Sequence, residues 1–104
     1  MDKKKERKMC IMSVVIIGGH ERMENRYKEI CKQYHHKSKV FTKIKSGLSR
    51  QIGNPDLMIL FTATASHEMA RCAVLESERT HAILERSHSS SANALIQILE
   101  AYVS

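Results

Sequence analysis

The most apolar parts of the chain are two unbroken runs, Val14-Val15-Ile16-Ile17 and Leu57-Met58-Ile59-Leu60-Phe61. Bulky and β-branched residues without polar alternation predict strands covered on both faces, over about 11–17 and 57–61. Between them Met23, Tyr27, Ile30 and Tyr34 recur at steps of four, three and four. That spacing predicts a helix over 21–34 with one buried stripe and an outer face of Glu21, Arg22, Glu24, Arg26, Lys28 and Lys32. From His36 to Ile44 the period drops to two: Lys37, Lys39, Lys43 and Lys45 alternate with Ser38, Val40, Thr42 and Ile44. A strand with lysines along one side belongs at the edge of a sheet.

A short helix follows over Leu48–Ile52, closed by the turn residues Gly53-Asn54-Pro55-Asp56. Beyond the 57–61 strand, Thr64 or Ser66 can cap a helix whose inward stripe is Met69, Ala70, Ala73, Val74 and Ser77. His81-Ala82-Ile83-Leu84 is the last strand, and Glu85 to Ser91 a polar loop. The closing helix, 92–103, lines up Ala92, Leu95, Ile96, Leu99, Tyr102 and Val103. Such alternation predicts an α/β fold: a small parallel sheet of about four strands with helices on both faces, Rossmann-like or flavodoxin-like. The two apolar strands take the centre and the lysine strand one edge, giving the order 2-1-3-4. In that sheet a ligand sits beyond the C-terminal ends of strands one and three.

Composition narrows the partners. With 104 residues the chain makes one domain, placed at 10–104 behind a basic tail at 1–9. Lys and Arg number 17 against 11 Asp and Glu, a net charge of +6 that favours anionic partners. No aromatic residue is interleaved in the tail, so it reads as a solvated tail and nucleic acid is not the expected partner. Cys10, Cys31 and Cys72 form no CxxC pair, which argues against a disulfide framework or zinc ribbon; each reads as a small buried apolar side chain. Lys3-Lys4-Lys5 is not followed by the apolar stretch of a signal peptide, and no run approaches the roughly 18 to 20 apolar residues of a membrane span. A cytoplasmic protein, off the membrane, is expected.

Three loops converge on the predicted binding end: Gly18-Gly19-His20, Thr62 to His67, and Arg86 to Ser91. The glycine pair permits a sharp turn that offers bare N–H groups to a ligand, and helix N-termini aim positive potential there. The loops supply His20, His67, His88, the hydroxyls of Thr62, Thr64, Ser66, Ser87 and Ser89, and the Arg86 guanidinium, with Arg22 able to fold back. His35, His36 and His81 fall at strand starts, the opposite end, and read as structural.

Several chemistries fail on these residues. The dinucleotide pattern G-x-G-x-x-G is broken by His20-Glu21-Arg22, and the phosphate loop G-x-x-x-x-G-K-[ST] is absent. Ser66-His67-Glu68 resembles a triad, but consecutive helical residues point about 100° apart. Carboxylates near the site are few. Binding is therefore expected rather than catalysis. Arg86 and the helix N-termini suit a phosphate or carboxylate, while histidines without thiolate or carboxylate companions suit a transition metal or a haem iron. His67 is the first candidate ligand, held at a helix start by the packing of Met69 and Ala70, and His20 the second. A haem is too large for so small a domain to enclose, so it would lie between the subunits of a homodimer. The same loops equally describe a binding module for a phosphorylated small molecule or nucleotide without metal.

Gly18-Gly19-His20 after the first strand, Tyr27 in the next helix, Asp56 opening the third strand, Ser66-His67 and the serine-rich turn before an apolar helix resemble the bacterial family known as domain of unknown function 2325. The resemblance covers about residues 12–103. It implies a small Rossmann-like domain and candidates for haem binding with oxygen or redox handling. The motif positions it carries are Gly18, Gly19, His20, Ser66 and His67.

Overall fold

A computed structural model describes residues 12–43 and 47–102; the tail assigned to 1–9 lies outside them, as do Cys10, Ile44, Lys45 and Val103. The elements are β1 (Ser13–Ile17), a 3-10 turn (Glu21–Met23), α1 (Glu24–Gln33), β2 (Lys37–Phe41), α2 (Leu48–Ile52), β3 (Leu57–Phe61), α3 (His67–Thr80), β4 (Ile83–Ser87) and α4 (Ala92–Glu100). All strand pairs are parallel and the sheet runs β2-β1-β3-β4, the order the apolar pattern predicts.

Period-two geometry sends alternate side chains of the central strands to opposite faces. Val14, Ile16, Leu57, Ile59 and Phe61 meet Tyr27, Ile30 and Cys31 of α1 and Leu95 and Leu99 of α4. Val15, Ile17, Met58 and Leu60 meet Leu48 and Ile52 of α2 and Met69 and Ala73 of α3. Every residue of β3 is buried. Burial pushes the Cys31 thiol up to about 11, so it stays a neutral core group. Cys72, expected to be buried, is only half-covered, with Sγ 3.4 Å from Ser49 Oγ. No helix among the described residues is long and apolar enough to cross a membrane.

Two elements differ from expectation for local reasons. The helix expected over 21–34 begins as a 3-10 turn, with the Met23 N–H donating to His20 O and no side-chain cap, and only then becomes α1. The last strand, expected at 81–84, lies two residues later. His81 ends α3 in a left-handed conformation (φ 61°), and its N–H and that of Ala82 both donate to Ser77 O. The strand therefore starts at Ile83 and takes in Glu85, Arg86 and Ser87, paired with Ile59, Leu60 and Phe61. Their polarity reads as loop; their pairing against β3 makes them strand.

The end of the sheet away from the site is laced by polar groups. Asp56 exchanges backbone N–H and side-chain Oδ2 contacts with Ser13, both at 2.8 Å, and its carbonyl accepts the Ile83 N–H. One residue thus aligns the starts of β1, β3 and β4. His36, expected to be structural, accepts the Met12 N–H on Nδ1 at 3.1 Å and stacks on Tyr34. Burial, then the neighbouring His35, lowers the His36 pKa from its ordinary 6.5. The unfolded chain then binds this proton more readily than the folded one, so the contribution is present above about pH 6.5 and is lost as pH falls through the folded value. His36→Asn keeps an acceptor for Met12 but cannot titrate. In urea unfolding, its stability should fall less than that of the parent between about pH 7 and pH 5.

Candidate functional site

The C-terminal ends of the strands are tied together by the glycine pair. Gly18 (φ 102°) and Gly19 (φ 85°) occupy backbone regions that side chains rarely adopt. A Cβ on Gly18 would lie 2.8 Å from Phe61 O, and one on Gly19 2.6 Å from Tyr27 Oη. Crowding within the protein itself already requires glycine here. The Gly18 N–H donates to Phe41 O at 2.9 Å, and the Gly19 N–H to Thr64 Oγ1 at 2.6 Å. The donors that the sequence assigns to a ligand are thus taken up by the protein itself.

Beneath Gly19 the fully buried Tyr27 ring packs 5.3 Å from Phe61 and donates its hydroxyl to Ser90 O at 2.6 Å. Burial pushes the phenol above its ordinary value, which the Ser90 bond partly offsets, and keeps it a donor. Thr64 passes its own proton to Phe61 O. Loops following β1, β3 and β4 are joined through these two side chains.

The remaining hydroxyls are similarly engaged. Ser66 caps α3 by accepting the Met69 N–H at 3.2 Å, and Ser91 caps α4 by accepting that of Ala94 at 3.1 Å. Ser87 donates to Ser89 O, and Ser89 bonds to Ser91. Thr64 and Ser87 are therefore parts of the scaffold.

Exposed side chains remain: His20, Arg22, His67, Arg86 and His88. Two of these share a groove. His67 and Arg86 line an open groove of about 440 Å³ between the outer face of α3 and the end of β3 and β4. Its floor and wall are Leu60, Thr62, Ala70, Val74 and Leu75, and Arg71 adds a second guanidinium. His20, Arg22 and His88 stand outside that groove, on the neighbouring loops. Among the described residues no group of three or more His, Cys, Asp or Glu is placed to hold a metal ion. The cluster here has one imidazole.

Arg71 is not among the loop residues that the sequence points to, because it lies a full turn inside α3. Its signal was helical: His67, Arg71, Val74 and Leu75 follow at i, i+4, i+7 and i+8 and share one face. With Leu75 at 57% exposure, that face is apolar, cationic and uncovered.

A family model described as uncharacterized protein conserved in bacteria (DUF2325) matches residues 13–102. The chain belongs to this family. Comparison with curated proteins and with solved structures gave no match. In this DUF2325 domain the residues behind the resemblance divide by role. Gly18, Gly19, Tyr27, Asp56 and Ser66 hold loops and strand starts, whereas His20 and His67 reach solvent.

The fit of Gly19 over Tyr27 has a measurable cost if disturbed. Gly19→Ala should destabilise the domain by about 1–3 kcal/mol in urea unfolding, from strain and overlap together. In the Tyr27→Ala background the same change should cost clearly less, since the overlap is gone. Equal costs in both backgrounds would assign the whole effect to φ.

Proposed function

We propose that this domain binds haem in the groove beside α3, for oxygen or redox handling, with His67 as the iron ligand. The observation that carries the reading is the composition of that one groove: an imidazole, an apolar wall and two guanidiniums. A haem needs those three features together, for iron, macrocycle and propionates respectively. His67 follows the Ser66 cap at the first position of α3, so its backbone is fixed by the helix start beside the groove. Leu60, Ala70, Val74 and Leu75 would exclude water from one face of the ring, and Arg71 and Arg86 would neutralise its carboxylates. When bound, haem supplies an iron that changes oxidation state and takes up diatomic ligands.

The groove is open on one side, and the partner proposed to close it is a second copy. Beside it β4 is, among the described residues, an unpaired edge with Ile83 at 49% exposure. The Ile83 N–H donates to Asp56 O, and Ser87 O accepts from Thr62, so those two residues turn their backbone groups toward β3. Alternation leaves Leu84 and Arg86 facing outward for a second β4.

A phosphorylated ligand without metal is the competing occupant. Support for it is reduced by the hydroxyls and glycine N–H groups already bonded within the protein. Titration with hemin separates the two. A Soret band should develop and saturate; His67→Ala should abolish or shift it, Arg71→Glu with Arg86→Glu should weaken binding about tenfold or more, and His20→Ala should do less. The reading fails if His67→Ala leaves the spectrum and affinity intact while inorganic phosphate or a nucleotide raises Tm. Sedimentation should give a dimer that Ile83→Lys converts to monomer; a parent chain that sediments as a monomer with hemin bound would sink the two-subunit closure alone.

A further inference from the structure

The opposite edge of the sheet is shaped differently. We infer that the edge of β2, unpaired among the described residues, takes up an extended acidic segment of a partner protein as a fifth strand. The Lys37 N–H donates to Met12 O and Phe41 O accepts the Gly18 N–H, so the backbone groups of these alternate residues face β1. In a parallel strand the intervening residues turn both their N–H and C=O the other way. Ser38 and Val40 therefore present a donor and an acceptor each along the open side.

This edge lies in a trough of about 470 Å³ whose walls come from both layers of helix. Lys28 of α1 stands on one side, Arg50 of α2 on the other, and Lys39 rises from the strand itself. No acidic residue is among the described residues that line it. Among the described residues neither Lys28 nor Arg50 has a carboxylate at ion-pair distance, while Lys39 donates to Gln51 O at 2.9 Å. A strand laid here would find main-chain partners at Ser38 and Val40 and cations above and below for alternate side chains.

Charge selects the occupant. A second β2 would bring its own Lys37 and Lys39 against these, and the chain's run Lys3-Lys4-Lys5-Glu6-Arg7-Lys8 has the same sign. Lysines that repel neutral or basic edges still admit an acidic one. Single-stranded nucleic acid suits the trough less well: among the described lining residues Phe41 is its one aromatic, and it is half-buried against the core cluster under α2 and α3, so successive bases would find no row of rings to stack on.

Fluorescence anisotropy on the full chain tests this with labelled eight-residue peptides. A Glu-Val repeat should bind, and a Lys-Val repeat should not. A Glu-Pro repeat, with the same charge but half of its N–H groups removed, should bind about tenfold more weakly. Lys28→Glu with Arg50→Glu, both exposed positions, should also weaken the Glu-Val peptide about tenfold or more at unchanged Tm. Ser38→Pro removes one outward donor without touching the β1 ladder and should act in the same direction. Amide NMR shifts on titration should concentrate at Ser38 and Val40. Equal affinity for the Glu-Val and Glu-Pro peptides would overturn strand addition, as would failure of the Glu-Val peptide to bind. Tighter binding of an oligouridylate, lost in the same charge reversal, would overturn it in favour of a polyanion groove.

Discussion

The contact on which the binding end depends is the seating of Gly19 on the Tyr27 ring. There is no room for a Cβ between them, and the phenol reaches past the glycine to the Ser90 carbonyl. The Gly19 N–H in turn holds Thr64. Three connections that would otherwise move independently are bound into one rim. Tyr27 is fully buried, so its hydroxyl must find a partner, and Ser90 provides it.

A rim built this way has consequences for where a ligand can go. Glycine pairs after a first parallel strand often bring a phosphate close to bare backbone, but here that space is filled by aromatic ring and threonine hydroxyl. The open groove lies to one side, along the outer face of α3. There Ser66 fixes the start of the helix, and successive turns carry His67, Arg71 and Leu75 along the groove. The scaffold's polar groups are used up in positioning; the groups left over are imidazole, guanidinium and hydrocarbon.

The two edges of the sheet are as unlike as its two ends. β4 exposes Ile83 and borders an apolar groove, whereas β2 is walled by Lys28, Lys39 and Arg50. An edge carrying one charge of each sign, Glu85 and Arg86, can admit its own kind, and one of uniform positive charge rejects it. A four-stranded sheet with differently marked edges can associate on one side without polymerising through the other.

Periodicity alone determined most of the architecture. Two runs without polar residues had to be central, a lysine-studded alternation had to be at an edge, and the crossover helices then dictated the order β2-β1-β3-β4. Short-range chemistry also narrowed the α3 cap to Thr64 or Ser66, of which Ser66 is the one, and placed the Leu48–Ile52 helix. Tertiary structure decided what local pattern cannot encode. Glu85, Arg86 and Ser87 became strand through pairing with β3, and Arg86 of that strand came to line one groove with His67 and Arg71 of α3. Likewise, Gly18, Gly19 and Thr64 look like ligand-binding residues until the positions of Phe41, Phe61 and Tyr27 show their hydrogen bonds and space already taken. A sequence lists donors and side chains; which of them remain free depends on partners tens of residues away.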